Sequence, residues 1–172
     1  SLREFTSVFS DDIETVEVFF ANNQILFRSE HISFYTRLLE GNYPDTDRLI
    51  PTEFNTEATF NVANLRFAME RARLLSNATQ NGTVKLEFKN GVVSSHVHSP
   101  EVGRVNEEID TSAVSGEDLS ISFNPTYLIE ALKAIDSEQV VIRFISSVRP
   151  FTLVPEGNEQ GFIQLITPVR TN

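Results

Sequence analysis

His96 and His98 stand two residues apart in a strand-like run, which puts both imidazoles on one face where they could grip a divalent cation. No third ligand converges on them, so the sequence predicts no metal site. Asp45 and Asp47 have the spacing of a carboxylate pair for acid–base work, but they sit in a turn, where aspartate is expected for its local hydrogen bonding. Serine, histidine and aspartate all occur without any nucleophile motif. With no cysteine in 172 residues, disulfides, thiolate nucleophiles and thiolate metal sites are excluded. Asn77-Ala78-Thr79 and Asn81-Gly82-Thr83 fit the glycosylation pattern, but nothing else points to secretion. The reading is of a chain with no catalytic residues, no metal and no cofactor.

What remains is recognition. Between Asn64 and Ser76, Leu65, Ala68, Met69, Ala72 and Leu75 form one apolar helical stripe, enough to pack on a sheet. Phe67 and Leu74 lie almost opposite it, and a helix apolar on two sides is covered on two sides or offers a patch to a partner. The net charge of −10 argues against ordinary electrostatic binding of nucleic acid, which needs basic patches to neutralise phosphates. No run approaches the roughly 18 apolar residues that span a bilayer. The chain opens on Ser1-Leu2-Arg3 without a methionine, which reads as a piece of a longer protein.

The elements that would position these residues alternate strand and helix signals. Leu2 to Phe9 reads as a short amphipathic helix. Val16–Phe20, Gln24–Arg28 and His31–Leu39 read as strands, the first two joined by an Asn22-Asn23 turn. Glu40 to Pro51 is a polar connector in which Gly41 permits a positive φ and Pro44 fixes its own, so a rigid non-helical link is expected. Beyond it come a strand over Ala58–Val62, the helix to Ser76, and a Val84–Phe88/Val92–His98 hairpin on Asn90-Gly91, the strongest two-residue turn signal. A strand over Glu101–Asp110 and a polar loop over Thr111–Asp118 follow. Leu119–Phe123 is then a strand, Asn124-Pro125 opens a helix to about Ile135, and strands are expected at Val140–Phe144, Phe151–Val154 and Gly161–Val169.

This order repeats. Phe60-Asn61-Val62 and Phe123-Asn124-Pro125 each close a strand and open a helix, 63 residues apart (60 to 123). A Val-led strand and hairpin follow a helix three times, at Val16, Val84 and Val140. Recurring β-α-β-β-β units predict an α+β fold of pseudo-symmetric antiparallel sheets with helices on one face, the first unit lacking its opening strand.

Four segments, in order, resemble the bacterial sliding clamp family, the β subunit of DNA polymerase III. They are Glu40-Gly41-Asn42-Tyr43-Pro44-Asp45, Arg71 to Asn77, Phe123-Asn124-Pro125-Thr126-Tyr127-Leu128, and Thr167-Pro168-Val169-Arg170. The resemblance implies a DNA-clamp fold, with residues 1–48 the second half of a middle clamp domain and 49–172 a complete third domain. It implies a cytoplasmic processivity factor, accessory to a polymerase and not itself an enzyme. When full length it would be a homodimeric ring that encircles duplex DNA without reading sequence.

Replicative polymerase, clamp-loader subunits and repair proteins would dock short peptides in a pocket formed by Pro44, Arg48, Leu49, Asn124, Tyr127, Val148, Pro150, Leu165, Ile166, Thr167, Pro168, Val169 and Arg170. Thr167 and Val169 stand where longer apolar side chains are common in the family, so a shallower pocket is expected. Part of its wall belongs to the missing half-domain, so weakened binding is expected too. Phe67, Leu74 and Leu75 would meet the other protomer, and Arg3, Arg66, Arg73 and Lys133 would face DNA. Two other classes compete: a secreted β-rich adhesin or carbohydrate-binding module, suggested by the acidity, the Phe-rich strands and the sequons, and a hydrolase.

Overall fold

A computed structural model of the chain describes residues 2–9, 13–42, 45–76, 82–99, 103–157 and 161–170. The chain divides into two compact units, Ser1–Asp45 and Thr46–Asn172. In the first, helix α1 (Leu2–Val8) precedes strands β1 (Glu17–Phe20), β2 (Gln24–Arg28) and β3 (Ser33–Arg37), which form an antiparallel sheet in chain order. Phe5 holds the helix to this sheet, its ring 4.6 Å from Phe27 and 6.3 Å from Phe34. The register aligns Val18, Phe27 and Phe34 on one row and Phe20, Ile25 and Thr36 on the next row of the same face. Phe27 and Phe34 take the helix, whereas Phe20 stays 74% exposed, so the β1 side of the face is apolar and open. β3 is shorter than expected because a Ser29 N–H to Ile32 carbonyl bond makes the residues before it a turn.

The connector departs from expectation. Gly41 does take a positive φ, +110°, but Thr46–Arg48 forms a single 3₁₀ turn. Leu49 N–H donates to the Thr46 carbonyl at 3.0 Å. The three residues Thr46-Asp47-Arg48 contain neither glycine nor proline, so nothing local opposes one helical turn. Tyr43 and Pro44 lie outside the described residues.

The second unit holds the two full repeats. The first is β4 (Thr56–Asn61), α2 (Val62–Ser76), β5 (Val84–Lys89), β6 (Val92–Ser99) and β7 (Gly103–Ile109). After a short strand β8 (Ala113–Gly116), the second is β9 (Leu119–Phe123), α3 (Pro125–Lys133), β10 (Gln139–Phe144), β11 (Phe151–Pro155) and β12 (Gln164–Ile166). The sheets do not follow the repeats. Their strand orders are β12-β11-β10-β4-β8 and β7-β6-β5-β9, so each repeat lends its opening strand to the other repeat's sheet. The registers match: Phe60 faces Val140, and Phe123 faces Val84.

The helices repeat the correspondence. Asn61 and Asn124 each accept a hydrogen bond from a backbone N–H of the following helix, at 3.0 Å from Asn64 and 2.9 Å from Thr126, which satisfies donors the helix itself leaves orphaned. Leu65, Ala68 and Met69 of α2 correspond to Leu128, Ala131 and Leu132 of α3, and all six are buried. Leu75, the last of the expected stripe, packs half-buried on the same core. Beneath them Phe88, Phe144, Phe151 and Phe123 stack in a chain with ring centroids 4.9, 5.1 and 5.2 Å apart.

The sequence predicts a loop where β8 forms. Ala113, Ser115 and Gly116 are weak strand formers, and pairing with β4 overrides them: Ala58 faces Val114 and Thr56 faces Gly116. Gly116 has φ +97°, and a Cβ there would lie 1.9 Å from the Asn55 carbonyl oxygen. Gly157 also has a positive φ, +78°, but opens on empty space. Thermal melts should therefore separate the two alanine variants: Gly157→Ala costs only the ~1–2 kcal/mol of a left-handed side chain, and Gly116→Ala costs clearly more because backbone must move.

Candidate functional site

Three features of the chain build a groove on the second unit. The Asn124 cap and Pro125 fix the start of α3, so Tyr127 projects from its first turn and Glu130 and Ala131 follow one turn later on the same side. β12 pairs antiparallel with β11 at the sheet edge, with Ile166 opposite Phe151 and Leu165 opposite Thr152. The segment after β12 is tied to the other sheet, because Val169 N–H donates to the Ser122 carbonyl of β9 at 2.7 Å. Between these elements lies a groove of about 420 Å³ lined by Tyr127, Glu130, Ala131, Gln164, Leu165, Ile166 and Thr167. Ile166 is buried and serves as floor, while Tyr127 is 59% exposed. An apolar floor with a few polar groups suits a short peptide better than a small hydrophilic substrate.

Of the residues expected here, Tyr127, Leu165, Ile166 and Thr167 come together in this groove. Pro168 and Val169 follow half-buried, and Arg170 is exposed. Asn124 spends its side chain on the helix cap. Val148 and Pro150 sit in the β10–β11 turn, and Arg48 and Leu49 lie exposed at and just after the 3₁₀ turn; none of the four lines the groove. Pro44 is outside the described residues. Glu130, Ala131 and Gln164 were missed. Helical spacing could have found the first two, since residues three and four after Tyr127 share its face.

The outer side of α2 is the second candidate surface. Leu74 is 70% exposed and Phe67 49%, whereas Leu75 turns inward. Phe67 lines a shallow depression of about 240 Å³ with Asn64, Ala68, Arg71 and residues 107–110 of and just after β7. There Arg71 grips Glu107 with two nitrogens, Nε donating to Oε2 at 3.2 Å and Nη2 to Oε1, and this hydrogen bonding raises the guanidinium's pKa.

The four basic residues expected to face DNA are not equivalent. Lys133 donates to Glu130 Oε1 at 2.9 Å, and Arg66 lies 3.8 Å from Glu70 and over the Phe67 ring. Arg73 is half-buried and Arg3 exposed. His96 and His98 differ as well. His96 Nδ1 lies 2.8 Å from Asn106 Oδ1 and its Nε2 2.9 Å from Ser94 Oγ, while His98 is exposed. Among the described residues no three His, Asp or Glu side chains converge on a cation position. No described helix is long and apolar enough to cross a membrane.

Two interlocked β-α-β-β-β repeats, with helices packed on antiparallel sheets, define the clamp type of α+β fold. The family profile "DNA polymerase III beta subunit, C-terminal domain" matches residues 47–170, and the chain belongs to that family. It is 80% identical over all 172 residues to the beta sliding clamp of Streptococcus pneumoniae serotype 4, and spans 46% of that relative's length. The crystal structure of the DNA polymerase III beta chain from the same species superposes with a TM-score of 0.92 at 79% identity, covering 99% of this chain and 45% of that one. The Bacillus subtilis sliding clamp gives 0.87 at 37% identity over the same shares. Family membership displaces the adhesin alternative.

Leu74 and Leu75 allow a direct test of the outer α2 surface. Leu75→Ala should lower the melting stability of this chain by ~1–3 kcal/mol, less than a fully buried leucine costs. Leu74→Ala should leave it within ~0.5 kcal/mol. Equal losses would place Leu74 in the core.

Proposed function

We propose that this chain is the C-terminal part of a DNA sliding clamp, with residues 1–48 the second half of the middle domain and 49–172 the third domain. The observation that carries this reading is the unbroken 80% identity to a beta sliding clamp from the first residue to the last. The two compact units, dividing after Asp45, and a family match beginning at residue 47 agree with a boundary in this region. In the whole protein the ring closes around duplex DNA as a homodimer in the cytoplasm. Phe67, Leu74 and Leu75 lie at the protomer interface, and Arg3, Arg66, Arg73 and Lys133 face the DNA. It performs no catalysis, and acts as an accessory subunit that tethers the polymerase.

The electrostatics favour enclosure over adhesion. With a net charge of −10 and two of the four helix cations beside carboxylates, phosphate neutralisation supplies little affinity. A closed ring needs little, because topology holds it on DNA and weak contacts let it slide. Full-length protein loaded on closed circular DNA should therefore be retained, and should be lost when the circle is cut. Equal retention on circular and linear DNA would refute the reading.

The groove beside α3 and β12 docks peptides of the polymerase, clamp loader and repair partners. Tyr127 and Leu165 form its walls and Ile166 its floor, and Arg48, Leu49, Asn124, Val148, Pro150 and Thr167 to Arg170 belong to the wider site. An apolar peptide should bind the full-length protein in the micromolar range, about −8 kcal/mol. Tyr127→Ala should weaken it by ~10-fold, as loss of an exposed aromatic anchor does, measured by fluorescence anisotropy.

A further inference from the structure

We propose that Ser94 is a chemically activated serine on the outer face of the β7-β6-β5-β9 sheet, an acceptor for neutral acyl or phosphonyl groups. The strand register assembles the cluster. Ser94 lies between Glu87 of β5 and Glu108 of β7, and His96, two residues on and therefore on the same face, lies between Lys85 and Asn106. Groups from all three strands converge on the imidazole. Its Nε2 is 2.9 Å from Ser94 Oγ and 3.5 Å from Glu87 Oε2, and its Nδ1 is 2.8 Å from Asn106 Oδ1.

An amide oxygen only accepts, so Nδ1 carries the hydrogen and, in the neutral ring, Nε2 keeps its lone pair for the Ser94 hydroxyl. A hydroxyl donating to a base that a third group orients is the arrangement that activates serine for acyl transfer. As Oγ attacks an acyl carbon or a phosphorus centre, its proton passes to Nε2. The bond to Oγ forms, and the bond to the leaving group breaks with its electron pair. The imidazolium then has Asn106 Oδ1 on one N–H and the Glu87 carboxylate beside the other, so the developing charge meets acceptors already in place. It returns its proton to solvent, and the product is an ester of Ser94. The same surroundings choose the donor. Carboxylates flank Ser94 on both neighbouring strands and the chain carries a net charge of −10, so anionic donors are repelled and neutral ones are not. The His96 side chain keeps 29% exposure, which leaves the pair open to a small reagent.

The test treats full-length protein with a neutral fluorophosphonate, a reagent for activated serines, and locates the adducts by mass spectrometry. Ser94 should be labelled ~10-fold faster than the exposed serines of the same protein, less than a positioned base gives in an enclosed site. Ser94→Ala should remove this adduct, and His96→Gln should slow it to the rate of the other serines. Asn106→Asp keeps an acceptor on Nδ1 and should retain fast labelling, whereas Asn106→Ala should lose it; thermal melts of each variant separate this split from unfolding. A sulfonated version of the reagent should lose the advantage at low salt and recover it in ~0.5 M salt. Labelling of Ser94 no faster than that of other serines, or unchanged in His96→Gln, overturns the proposal.

Discussion

The second unit depends on an exchange of strands. β4 and β9 belong in sequence to one repeat and in space to the other, paired with β10 and β5 in the same relative register. Neither repeat can complete a sheet alone, because its hairpin lacks the strand that precedes its own helix. The exchange also sets the position of the helices, since each starts directly after an exchanged strand, where an asparagine caps it, Asn61 as the last residue of β4 and Asn124 just past β9. Folding is thereby committed to contacts distant in sequence, which raises the entropic cost of closure and makes the two halves one cooperative body.

The first unit shows the same rule from the other side. Among its described residues it has a helix and three strands but no lent strand, and the β1 side of its helix-bearing face keeps Val18 and Phe20 exposed. Such residues belong under cover by their chemistry.

Much of this was legible in the sequence. Strands with strict alternation, the Asn90-Gly91 turn, the Asn124-Pro125 helix start and the 63-residue recurrence all express local physics, and they placed nearly every element. The failures were where tertiary pairing decides. β8 exists because β4 offers an edge, and the expected terminal strand over Gly161–Val169 shrinks to Gln164–Ile166 because only those residues face β11. The site was read in part for a similar reason. Tyr127 and residues 165–167 are brought together by the packing of α3 beside β12, whereas Glu130 and Gln164 matter only once that packing is known. Helical spacing ties Glu130 to Tyr127, but no local pattern marks Gln164.

Gly116 carries a consequence at the level of the gene. Every amino-acid replacement reachable from a glycine codon by a single nucleotide change brings a Cβ atom, and here that atom would collide with the Asn55 carbonyl. The usual gradation from mild to severe missense changes is thus missing at this position, since the first carbon added already does the damage. A codon in a short edge strand of unremarkable composition is left with synonymous drift as its only neutral path.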